Sequence, residues 1–164
     1  MNEIIGYFDG SVEPTNPGGI VGYGFHYSFG ETDSEGYGIA FSGGTCATNS
    51  VAEYLALGAL LMGVLENGWA LADSSLIAYG DNKSTVNCFN GVWRVNKPHL
   101  RPVAALVHML KETLETLGCE VRAEWVSRVN NVRADKLSRR GLNDQLKDRL
   151  PLTEALGEEY YNGS

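Results

Sequence analysis

The stretch Glu3-Ile4-Ile5-Gly6-Tyr7-Phe8-Asp9-Gly10-Ser11 opens as a short β-rich run and breaks at an acidic side chain followed by glycine. Apolar and aromatic residues at this density favour a strand, and Asp-Gly is a turn signal. Working outward, Gly22 to Phe29 alternates Tyr, Phe, Tyr and Phe with smaller or polar residues, and Gly36 to Phe41 repeats the pattern. Clusters of Gly, Pro, Asn and Asp separate the three runs, which predicts three consecutive antiparallel strands. The period then changes. From Asn49 to Glu66, Leu57, Leu60, Leu61 and Val64 form a helical apolar stripe, and Gly68 is expected to stop it. Leu76 to Asp81 reads as a brief buried strand, Lys83 to Phe89 as a helix and Gly91 to Arg101 as a turn. A second long helix is predicted over Pro102 to Leu117, closed by Gly118, then a strand over Cys119 to Val126 and a last helix from about Asn131. This order predicts an α/β fold: a mixed five-stranded sheet, its first three strands antiparallel, with helices on both faces.

Composition bounds the function. At 164 residues the chain has the size of one domain, and its 43% hydrophobic and 20% charged residues are ordinary for a globular protein. No apolar run approaches the ~20 residues that cross a bilayer, and Met1-Asn2-Glu3 lacks a basic start, so a cytoplasmic protein with no membrane partner is expected. Cys46, Cys88 and Cys119 are odd in number and lack Cys-x-x-Cys spacing, which argues against a disulfide framework or a thiolate zinc site. They read as small reduced fillers. The net charge of −7 is unevenly spread: residues 1–82 hold no Lys or Arg and 10 Asp or Glu, whereas residues 83–140 hold 11 Lys or Arg against 5 acids. That asymmetry marks the middle segment as the side to face phosphates, or else as ordinary solvated helix faces.

Four carboxylates stand where apolar runs give way to turn or helix signals: Asp9, Glu53, Asp81 and Asp135. Taken singly, each has a bland explanation. Asp9 suits a turn, Asp81 an N-cap, and Glu53 and Asp135 the first turns of helices, where the dipole favours acids. Together they offer the all-oxygen ligand set that hard divalent cations prefer.

The surrounding words, in order, are Gly6-Tyr7-Phe8-Asp9-Gly10-Ser11, Asn16-Pro17-Gly18-Gly19, Thr48-Asn49-Ser50-Val51-Ala52-Glu53, Tyr79-Gly80-Asp81-Asn82 and Asn131-Val132-Arg133-Ala134-Asp135. In this order the chain resembles type 1 ribonuclease H, over roughly residues 3 to 141. The resemblance implies a ribonuclease H-like catalytic domain over residues 1–141, with residues 142–164 an appended helix or loose tail. It implies a monomeric endoribonuclease that hydrolyses the RNA strand of RNA–DNA hybrids and leaves 5′-phosphate and 3′-hydroxyl ends. It also implies two Mg2+ ions, replaceable by Mn2+, bound by Asp9, Glu53, Asp81 and Asp135 about 3.5–4 Å apart. One ion would generate the attacking hydroxide and the other stabilise the leaving 3′ oxygen, with Asp9 bridging, Glu53 and Asp81 leaning to one ion and Asp135 to the other.

Asn16, Asn49 and backbone groups around Ser11-Val12, with Ser50 adjacent, are the implied readers of RNA 2′-hydroxyls, with turn and N-cap chemistry as the alternative reading of them. Two features depart from many relatives. No His precedes the last acid; the Arg-x-x-Asn-x-x-Ala-Asp ending instead offers Arg128 and Asn131 for phosphate or loop contacts. The connection Asn90 to His99 is short where many relatives carry a basic handle, so Trp93, Arg94 and Lys97 form a reduced substitute, or Trp93 packs over the helix junction. Rival readings are a nuclease of the same fold acting on structured DNA, and a non-catalytic nucleic-acid-binding module.

Overall fold

The computed structural model describes residues 2–67, 69–143, 151–157 and 160. Three strands come first, β1 (Asn2–Glu13), β2 (Ile20–Phe29) and β3 (Thr32–Ser42), followed by α1 (Asn49–Glu66). Then come β4 (Ser74–Gly80), α2 (Lys83–Phe89), α3 (Arg101–Thr116), β5 (Cys119–Trp125), α4 (Val132–Asn143) and a short α5 (Pro151–Leu156). The sheet order is β3-β2-β1-β4-β5, with β1, β2 and β3 antiparallel and β1, β4 and β5 parallel. This is the predicted mixed five-stranded sheet.

Two elements differ instructively from their sequence signals. Asp9 does not end its strand: β1 continues, paired to β2 as far as Glu13↔Ile20, because ladder hydrogen bonds override the local Asp-Gly turn preference. Helix α1 carries more than a stripe, since every residue from Val51 to Leu61 is buried. The sheet lies on one side of it, with α3 and α5 packed against others, and a helix enclosed in this way is apolar nearly all round. It starts where Thr48 Oγ1 accepts from the Val51 amide at 3.3 Å and ends at Asn67; the expected stop at Gly68 lies outside the described residues.

Helix α4 packs on the opposite face, across β1, β2 and β3. Of the C-terminal stretch, α5 is helical and its Leu152 is buried, while Tyr160 donates a hydrogen bond to the His99 carbonyl at 2.6 Å. Cys46, Cys88 and Cys119 are free thiols, and no helix among the described residues is long and apolar enough to cross a membrane.

Candidate active site

Strand β1 outruns its parallel neighbour. The β1–β4 ladder ends at Tyr7↔Tyr79, and β4 itself ends at Gly80. Beyond that point β1 runs on past the carboxyl end of β4, where the sheet switches from parallel to antiparallel pairing, a common place for sites in open α/β sheets. Asp9 lies on this part of β1, and Asp81 is the first residue after β4. Asn82 takes the N-cap of α2, its Oδ1 accepting from the Thr85 amide at 3.0 Å, so Asp81 is not spent on capping.

Glu53 and Asp135 arrive from helices on opposite faces, each admitted by a glycine. A Cβ on Gly10 would lie 2.2 Å from the Ala52 carbonyl carbon and 2.5 Å from the Glu53 amide nitrogen, so only glycine lets α1 approach β1 closely enough. Gly24, paired with Asp9 across the β1–β2 ladder, does the same for α4: its Cβ would lie 2.4 Å from the Ser138 amide nitrogen. Gly10→Ala is accordingly expected to cost about 1–3 kcal/mol of stability through overpacking, read as a lowered urea midpoint.

Asp9, Glu53 and Asp81 each present an oxygen within 4.8 Å of the others. Asp135, in the first turn of α4, is not in that set of three, but its carboxyl interacts with that of Asp9 and helps to raise it. Glu53 is only 5% exposed, which rules out the solvated first-turn role, and its Oε2 is buried with no hydrogen-bond partner among the described residues. Burial first, and the charges of Asp81 and Asp135 after it, push the Asp9 carboxyl up to about 7, although a hydrogen bond with Glu53 opposes the shift. Burial and then the Asp9 charge hold the Glu53 carboxyl well above the ordinary glutamate range. An enclosed all-oxygen set with an orphaned acceptor and shared protons has the donor chemistry that hard divalent cations take.

The expected substrate residues divide into groups. Asn16 and Asn49 are brought together, Asn16 Oδ1 accepting from the Asn49 amide at 3.3 Å, with Ser50 beside them at the start of α1. Ser11 turns inward and donates to the Ser138 carbonyl at 2.9 Å, tying β1 to α4. Trp93 is 51% exposed rather than packed over the helix junction, and with Arg94 and Lys97 it lines a groove that includes none of the four acids. Arg128 is exposed on a short turn, whereas Asn131 is buried among the acids, its Nδ2 donating to the Phe8 carbonyl and to Asp81.

The charge map is narrower than the composition implied. Arg133 bonds Asp33 and Glu35, both at 2.8 Å, Arg140 lies 3.8 Å from Glu35, and Arg139 lies 3.5 Å from both Glu13 and Asp135. Much of the basic side of α4 therefore neutralises acids of the N-terminal strands. His26 stacks on Tyr7 with ring centroids 4.9 Å apart, and burial and Arg133 push its imidazole down to about 4. Sequence reasoning missed Trp125, whose indole N–H donates to the Asp81 carbonyl at 3.2 Å beneath the Lys83 ammonium. A Trp closing the last strand was the available signal.

Sheet order and helix placement, with the acidic cluster at the end of β4, define a ribonuclease H-like fold. Residues 32–141 match the reverse transcriptase-like family, and the chain belongs to that family. Among solved structures it resembles RNase H1 of the halophilic archaeon Halobacterium salinarum at 27% identity and a TM-score of 0.70, over 87% of this chain and 98% of that one. The N-terminal RNase H domain of a Mycobacterium tuberculosis protein, solved as a fusion, gives 26% identity and a TM-score of 0.71 over 88% and 96%. LC11-RNase H1 in complex with an RNA/DNA hybrid shares the fold, with a TM-score of 0.74 at 24% identity over 87% and 98%.

Proposed function

We propose that this chain is an endoribonuclease that hydrolyses the RNA strand of RNA–DNA hybrids with Mg2+ and leaves 5′-phosphate and 3′-hydroxyl ends. The observation that carries the reading is the convergence of Asp9, Glu53 and Asp81, with one buried Glu53 oxygen left without a partner among the described residues. Likeness to RNase H1 structures, one of them holding a hybrid, supports the substrate class.

Asp9, Glu53, Asp81 and Asp135 would hold the ions, Glu53 and Asp81 contributing to one, Asp135 to the other and Asp9 to both. When bound, such ions activate water for in-line attack and offset charge at the phosphate and the leaving oxygen; Mn2+ also suits an all-oxygen set. The protein supplies the rest. Burial withholds competing water from Glu53, and like charges crowded without a cation make the carboxylates hold protons that a cation then displaces.

Asn16, Asn49 and Ser50 at the start of α1 are the readers of the 2′-hydroxyls, with Ser11 fixing the strand behind them. Trp93 and Arg94 grip the duplex at a distance, and Arg128 takes a phosphate. Three free thiols suit a reducing compartment, the cytoplasm, and the chain acts as a monomer.

The test is digestion of end-labelled hybrid, double-stranded RNA and double-stranded DNA, each with Mg2+ and with EDTA. Cleavage confined to the RNA strand of the hybrid, and only with Mg2+, is expected. Cutting of the DNA duplex instead, or an intact hybrid in the presence of Mg2+, overturns it. A reduced handle also predicts steep salt sensitivity: cleavage at sub-saturating hybrid should fall at least tenfold between 50 and 200 mM salt, by roughly the behaviour of phosphate-contact binding.

A further inference from the structure

We propose that Asn131 is a positioning residue for the reaction: its side-chain amide replaces the missing rung between β1 and β4 and aims the Asp81 carboxylate at Asp9. This rests on the functional reading above.

The geometry begins where the ladder fails. Past Tyr7↔Tyr79 the two strands no longer pair, so the Phe8 carbonyl has no β4 amide opposite it. Asn131 Nδ2 lies 3.0 Å from that carbonyl and 3.4 Å from Asp81 Oδ2. Both neighbours are acceptors, so the amide orientation is fixed: the NH2 group faces them and donates to both. Oδ1 is left buried and without a partner among the described residues, the acceptor left over once both donors are committed.

The same residue anchors the last helix. Its own carbonyl accepts from the Asp135 amide at 3.0 Å, and its amide donates to the Arg128 carbonyl at 3.0 Å. One side chain and one peptide unit thus tie together the residue before Asp9, the Asp81 carboxylate and the backbone of Asp135. At 1% exposed, Asn131 cannot reach a nucleic acid. A neutral donor also matters here, because a Lys or Arg in its place would neutralise Asp81 and repel a cation. An amide steers the carboxylate and leaves its charge available.

Two variants test this: Asn131→Leu, which keeps the branched shape and removes the donor, and Asn131→Ala, which avoids any clash. For each, kcat and KM on hybrid are measured together with the rise in melting temperature that MgCl2 produces. The expected result is a fall in kcat of about 10–100-fold, as for other residues that orient metal ligands, with KM within about threefold of wild type. The Mg2+-induced rise should at least halve. A raised KM with unchanged kcat would assign Asn131 to substrate contact and overturn the proposal. So would unchanged kcat and an unchanged Mg2+ response, or failure of both variants to fold, which would make the role structural. The melting readout needs no hybrid, so if wild type cleaves no hybrid yet the variants lose the Mg2+ response, the substrate reading falls and the positioning role stands.

Discussion

Asp9→Asn is expected to abolish cleavage of hybrid while raising the melting temperature of the metal-free protein. Both effects have one cause. Asp9 is 5% exposed, touches Glu53, lies against Asp135 and shares an oxygen cluster with Asp81, so its charge is costly until a cation offsets it. Asparagine has the same shape, no charge, and an NH2 group that donates to the flanking carboxylates. Removing a buried, uncompensated charge should stabilise the apo fold by about 1–3 kcal/mol at pH 8, or about 3–9 °C by differential scanning calorimetry. Activity should fall by about 10³-fold or more, the usual scale for loss of a central catalytic group. A variant that loses activity because it unfolds would melt lower, and that result would remove the crowding argument.

The second large effect is a dependence of stability on pH that Mg2+ reverses. The Asp9 carboxyl, pushed up to about 7, and the raised Glu53 carboxyl hold protons in the folded state that the unfolded chain releases near pH 4. Between those limits the native state binds more protons, so the stability of the metal-free protein falls as pH rises. For Asp9 alone the loss is at most about 4 kcal/mol. The Asp33 carboxyl, held low mainly by its hydrogen bond from Arg133, has the opposite sign but sits in an exposed pair that solvent screens. Mg2+ must displace the protons, so it should raise the melting temperature by several degrees at pH 8 and hardly at all at pH 5. Calorimetric titration in buffers of different ionisation enthalpy should register the proton release near neutral pH. Equal Mg2+ stabilisation at both pH values would rule out the shared-proton account.

The parts of this molecule legible in sequence are those set by local periodicity. The bounds of α1 and α2 and the order of the five strands follow from apolar spacing and turn residues, and all four acids were visible at the ends of apolar runs. What the sequence hid depends on partners distant along the chain. Nothing local shows that β1 continues past Asp9-Gly10, because β2 decides it. Gly10 looked like a turn residue and Gly24 like a small residue in a strand, yet each marks where a helix backbone touches a strand. The basic segment of residues 83–140 read as a side to face phosphates, and only the fold shows that its Arg133 is paired with Asp33 and Glu35. The Arg-x-x-Asn-x-x-Ala-Asp ending offered Asn131 for phosphate or loop contacts, and its burial follows only from the opening between β1 and β4.

The central claim is that separate strands and helices bring these carboxylates together to hold divalent ions. Its most direct measurement is anomalous scattering from crystals of the protein soaked in MnCl2 at pH 8. The account predicts Mn2+ density bonded to Asp9 and shared with Glu53 and Asp81 or with Asp135. Crystals saturated with Mn2+ that show no density at Asp9, or density only at acids elsewhere on the surface, would contradict it.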